Sequence, residues 1–209
     1  MNKFFPALIA TVTASAFAAN AASPVHDKVI EFVPAPGQFV NELPQWENGD
    51  DAESMAEKAL TATTTGMISL GGYGGFVVVG FDHTIVNVDG MRDIYIEGNS
   101  FSGSSEPGIV LVAYDINDNG LPDDNEWFEI RGSEYDNSTH DYECTYYRPD
   151  DDDDDIRWTD NQGNEGYIYR NTFHSQPYWP QWLADRETLT FSGTRLPDNG
   201  VDQSGNGTY

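Results

Sequence analysis

The sequence predicts an all-β fold, a β-sandwich or jelly roll with one short N-terminal helix. Three observations carry that expectation. Short runs of β-branched and aromatic residues recur along the chain, Gly, Asn and Asp turns separate them, and one stretch alone has a helical period.

Val29-Ile-Glu-Phe-Val33 is the first such run, and Pro34-Ala-Pro36-Gly37 ends it. The helix follows. Ala52, Met55, Ala56, Ala59 and Leu60 recur at i, i+3, i+4, i+7 and i+8, with Asp50 placed as N-cap and Asp51 and Glu53 in the first turn. From Met67 onward the pattern is β, with strands expected at 67–70, 76–79, 84–88 and 93–97, the last with Ile94 and Ile96 on its buried face. The glycines of Gly71-Gly-Tyr-Gly-Gly75 precede a β-branched run, but no Lys-Ser/Thr pair and no helix follow, so a phosphate loop is not indicated. A tight bend or a close backbone approach, for packing or for a ligand, explains them better. Strands are expected again at 108–114, 127–130, 142–146, 156–158, 166–170 and 188–192, with Cys144 a small core residue on its strand. The six aspartates Asp150 to Asp155 repel one another and predict a solvated loop. After Pro197-Asp-Asn-Gly200 a polar loop runs to Tyr209, where the chain reads as a strand cut at its start, as in a C-terminally truncated sandwich.

Residues 1–21 read as a secretory signal peptide: Lys3 supplies the positive start, 4–17 are apolar, and Ala16-Phe-Ala18 and Ala19-Asn-Ala21 offer cleavage sites. No Cys follows for a lipid anchor, and no other stretch is apolar and long enough for a transmembrane segment. Residues 22–66 then form a lead-in with the first strand and the helix, and 67–209 the β-sandwich, with 28–209 expected to be one unit. The expected location is outside the cell or on its surface. With 35 acidic against 10 basic residues the net charge is −25, which repels nucleic acid and anionic membranes but not divalent cations or neutral ligands. A single cysteine excludes an internal disulfide, so stability must come from packing and from any bound ion.

The strongest chemical signal is Asp115-Ile-Asn117-Asp-Asn119-Gly120-Leu121-Pro-Asp123-Asp-Asn-Glu126, which fits the calcium-loop formula D-x-[DN]-x-[DN]-G-x5-E in every slot. Calcium takes about six to eight oxygens, and the loop can supply Asp115, Asn117, Asn119, the Leu121 carbonyl, Asp123 and a bidentate Glu126. Its flanks are β-formers, so the expectation is a calcium-clamped strand–loop–strand, with a metal-free Asn/Asp/Gly turn as the alternative.

Catalytic motifs are weak. There is no H-E-x-x-H or G-x-S-x-G, and His26, His83, His140 and His174 lack metal-ligand spacing. Paired carboxylates are too abundant to single out a glycan-active hydrolase or lyase, and Asp82-His83 reads as a hydrogen-bonded turn before an acid–base pair. Binding fits better. Phe173, His174, Tyr178, Trp179 and Trp182 form the densest aromatic cluster, and Trp158, His174, Tyr178, Trp179 and Trp182 either border a ligand surface or are largely core.

Several motifs occur together: Gly71-Gly-Tyr-Gly-Gly75, Val79-Gly-Phe-Asp-His83, the loop from Gly108 to Asp123, Gly132-Ser-Glu-Tyr135, Ile156-Arg-Trp-Thr-Asp-Asn161 and the segment from Thr188 to Leu196. Across 28–209 the chain resembles secreted or lipid-anchored cell-surface proteins of Bacteroidota, often described as cell surface or PKD domain-containing proteins. The resemblance implies an extracellular β-sandwich used for binding, with no catalytic residues to carry over. It also implies a link to outer-membrane uptake of nutrients, corrinoids among them. The missing lipobox departs from the lipid-anchored members. Taken together, the expectation is a calcium-stabilised surface module for carbohydrate or another small-molecule nutrient, rather than an enzyme. A structural domain contacting other surface proteins is a further alternative.

Overall fold

The computed structural model describes residues 23–99 and 106–197, so the expected signal peptide and the C-terminal polar loop from 198 lie outside the described residues. The architecture is mainly β and wholly antiparallel, with one α-helix among the described residues. β1 (Lys28–Val33) pairs with β2 (Phe76–Gly80), and β3 (Leu111–Ala113) pairs with β4 (Trp127–Glu129). β5 (Thr139–Tyr147), β6 (Ile156–Asp160), β7 (Glu165–Ile168) and β8 (Thr188–Arg195) form a four-stranded sheet in the order β7-β6-β5-β8. Three consecutive strands and a fourth that returns over a long connection to lie beside the first constitute a Greek key.

Alternation along these strands makes one face of the sheet the core. Tyr142, Cys144 and Tyr146 of β5, Ile156 of β6, and Leu189 and Phe191 of β8 point inward and are buried. The layer that covers them comes from Ala35, Tyr178, Trp179 and Leu183, with Val33, Tyr73, Trp158, Ile168 and Trp182 at its margin. A second cluster joins the helix α1 (Ala52–Thr65) to β1 through Met55, Ala59 and Phe32. Trp182 borders both clusters and stacks on Phe32, with ring centroids 5.7 Å apart.

The glycine run is a close approach, as its composition predicts. Gly71 and Gly74 have φ of +70° and +88°, and a Cβ at either would collide with the Ala35 carbonyl or with Phe191. Tyrosines lock this loop onto the sheet: the Tyr73 hydroxyl donates to the Tyr142 carbonyl at 2.9 Å, and the Tyr146 hydroxyl donates to the Tyr73 carbonyl at 3.0 Å. Burial raises the Tyr146 hydroxyl and the Cys144 thiol above their ordinary pKa values, which keeps both neutral. Cys144 is therefore an inert core residue, as expected.

Three expected strands do not form. Residues 67–70, 84–88 and 93–97 belong to no sheet, and Ile94 and Ile96 are exposed rather than buried. Alternation qualifies a segment for a strand, but pairing requires a partner edge in register, and local sequence does not encode one. The helix is also displaced at its start. Asp51, not Asp50, is the N-cap, exchanging hydrogen bonds with Ser54 in a capping box. Asp50 instead pairs with Lys58 at 2.6 Å, which, with the Glu47 N–H, holds its carboxyl below the ordinary range. The helix runs on to Thr65, where Thr63, Thr64 and Thr65 hydroxyls bond carbonyls one turn back.

Candidate calcium loop and candidate ligand face

The calcium-type loop joins β3 to β4, and the Tyr114 N–H donates to the Glu126 carbonyl at 3.0 Å to close its base. The chain reverses through Asp118 and Gly120, both with positive φ. Within that turn the side chains of the predicted ligands bond its backbone, and Asn117 and Asn119 also meet Asp123. The Asp115 carboxylate accepts from the Asn119 and Gly120 N–H groups at 3.0 and 2.8 Å. The Asn117 and Asn119 carbonyl oxygens accept from the Asn119 and Leu121 N–H groups, and both side-chain amides donate to Asp123 Oδ2, at 2.5 and 3.0 Å.

Glu126 is the unusual member. Its residue is 1% exposed, and its carboxylate accepts from the backbone N–H groups of Ile116, Asn117 and Asp123. No cationic side chain pairs with it among the described residues. Burying a carboxylate is costly unless hydrogen bonds or a cation compensate, and here only N–H groups do. The Asn117 and Asn119 amides donate NH2 groups to Asp123 while their oxygens accept from backbone N–H groups, so turning either oxygen towards a cation gives up those bonds. The donor set, three carboxylates, two amide oxygens and a backbone carbonyl, is all hard oxygen and fits calcium. Asp115, Asp123 and Glu126 are not grouped as a metal-holding cluster among the described residues.

The aromatic set divides differently from its expected role at a ligand surface. Tyr178 and Trp179 are 2% and 1% exposed and form the centre of the core layer, so they have no face to offer a ligand. Their polar ends are satisfied internally: Trp179 Nε1–H donates to the Leu183 carbonyl, and the Tyr178 hydroxyl accepts from the Asn171 N–H. The buried Asn41 amide ties the same segment down, donating to the Pro177 and Trp179 carbonyls and accepting from the Gln181 N–H. Trp158 and Trp182 are half-buried at the margin of the same core, and His174 packs edge-on against Phe39. Large ring area carried these residues inward, since burial of aromatic surface outweighs any separate preference for exposure.

Two other features resolve simply. Asp150 to Asp155 are exposed, as expected, but the loop is held by Arg170, which bonds the Asp152 carbonyl and the Asp153 carboxylate, while its own N–H donates to Asp155. Asp82 and His83 form an exposed neighbour pair at 2.6 Å, with no third hydrogen-bonding group on the imidazole among the described residues.

A face that residue type alone did not single out is the outer one of the four-stranded sheet. Glu143, Thr145 and Tyr147 alternate with the buried Tyr142, Cys144 and Tyr146, and Arg157, Thr159, Glu165 and Tyr167 continue that outer face onto β6 and β7. The alternation along β5 was the available signal. Neither a protein-family model nor a curated protein matches the chain.

Proposed function

We propose that this chain is an exported, calcium-stabilised binding module of a cell surface, whose ligand is a glycan or another environmental nutrient. The observation that supports this reading best is one loop in which Asn117 and Asn119 meet Asp123 while Asp115 and the buried Glu126, with no cationic side chain among the described residues, bond its backbone N–H groups. A calcium ion would supply the positive charge that this loop lacks. Glu126 and Asp115 would anchor the ion to the two ends of the turn, and the paired strands of three residues each would gain the order that their small buried area does not provide. Extracellular calcium is roughly millimolar, a concentration at which weak extracellular modules are loaded.

Melting the mature chain in excess calcium and in chelator tests this directly, alongside Asp115→Ala and Glu126→Ala. Calcium at about a hundred times its dissociation constant stabilises the folded state by about 2.7 kcal/mol, a midpoint shift of several degrees, and both variants should lose it. A shift that survives in both variants, or no shift in the parent chain, removes calcium from the reading.

A further inference from the structure

The outer face of the four-stranded sheet is an open platform whose composition suits neither a core layer nor a charged ligand. Tyr167, Arg157 and Tyr147 stand in one row across three strands, because Arg157 pairs with Tyr167 and the Tyr146–Trp158 pair puts Tyr147 beside Arg157. The Arg157 guanidinium lies 4.8 Å from the Tyr147 ring centroid and 2.8 Å from the Glu165 carboxylate. A π face and a counter-charge thus hold it in place on the surface. Beyond that row, Tyr169 adds a second exposed ring, its centroid 6.1 Å from that of Tyr167 and tilted by 34°. Tyr167 and Tyr169 are 50% and 73% exposed. The adjacent row is a hydroxyl ladder that crosses the sheet: Thr159 pairs with Thr145, and Thr145 with Thr190, their hydroxyls 2.9 Å apart.

We propose that this face binds a neutral glycan chain, with the Tyr167 and Tyr169 rings stacking on the C–H faces of sugar rings while Arg157 and the threonine ladder bond their hydroxyls. The proposal deepens the binding-module reading and rests on it. Sugars present apolar C–H faces interleaved with hydroxyls, and this platform interleaves ring faces with hydroxyls in the same way. A protein partner fits less well, since the centre of a protein interface is depleted of charge and here an ion pair occupies it. Neutrality follows from charge. Arg157 is already matched by Glu165, and a chain of net charge −25 repels polyanions such as uronate polymers.

Affinity electrophoresis of the mature chain in calcium tests this, with gels containing soluble neutral β-glucan, xylan, mannan or starch and a polygalacturonate gel as the anionic control. The parent chain should be retarded by at least one neutral polymer. The Tyr167→Ala/Tyr169→Ala double variant should lose that retardation at least tenfold, and Arg157→Ala should weaken it, while Tyr95→Ala, an exposed tyrosine outside the sheet, should not. Unchanged melting of the variants shows that the loss is not unfolding. Full retardation of the double variant would overturn the assignment of the face yet keep the binding module. Retardation by polygalacturonate alone, or by no polymer, would overturn the neutral-glycan proposal, and the calcium melt would then decide the broader reading separately. Release of reducing ends would overturn the binding module in favour of a hydrolase.

Discussion

The four-stranded sheet and the β3–β4 hairpin are both antiparallel β-structure, yet different forces hold them. Inward residues of the sheet such as Tyr146, Ile156 and Leu189 are between 1% and 3% exposed, whereas Leu111, Ile130 and Phe128 of the hairpin region are between 43% and 54% exposed. The sheet is held by burial of apolar area beneath the 176–183 segment. In the hairpin, order comes from polar geometry inside the turn, with side chains satisfying backbone N–H groups that have no other partner. A region held by packing should be indifferent to an ion. One that holds an ion, as proposed for this hairpin, should depend on it.

The largest expected effect tests the packed side of this contrast. Trp179→Ala removes the best-buried aromatic and should cost about 3–5 kcal/mol, read as a lower denaturant midpoint in calcium and in chelator alike. A loss under about 1 kcal/mol would show that the aromatic segment is not what supports the sheet. A smaller effect tests the junction. The Thr194 hydroxyl of β8 donates to Glu129 of β4 at 2.6 Å, and the His140 ring lies 3.1 Å from the same hydroxyl, linking hairpin to sheet. Thr194→Val should cost about 0.5–3 kcal/mol and lower hydrogen-exchange protection in β4 more than in β5. Equal losses in the two strands would merge the regions into one cooperative unit.

A third effect lies at alkaline pH. Burial pushes Tyr73, and burial with the hydrogen bond to Asp160 pushes Tyr142, from 10.0 up to about 12. A raised folded-state pKa means that the stabilisation is fully present below pH 10 and is lost as pH rises through about 12. A subset of the 11 tyrosines should resist ionisation in that window, with the sheet melting at lower temperature as they yield. If all the tyrosines ionise together near 10, the inner face is more open than its packing indicates.

Much of this organisation was legible from local sequence. The calcium-type loop is a formula over twelve contiguous positions, and its turn, with Asp118 and Gly120 at positive φ, forms from those residues alone. The helix was legible for the same reason, apart from a one-residue shift of its N-cap, which a capping box with Ser54 decided. Other features were not legible. Residues 84–88 and 93–97 carry the strand pattern without a partner, and Tyr178 and Trp179 have the composition of a ligand surface and the position of a core. In each case the missing information was which distant segment would lie alongside.

By itself the sequence determined the mainly-β class, the one α-helix among the described residues, the glycine approach at Gly71 and Gly74, the burial of Cys144 and the tight turn at Gly120, because each depends on local dihedral preference or on a contiguous pattern. Tertiary structure decided which face of each strand is core and which aromatics remain outside. It sent Trp179 inward and left Tyr167 and Tyr169 in the open, because burial depends on what packs against a side chain and that neighbour is supplied by chain far away in sequence.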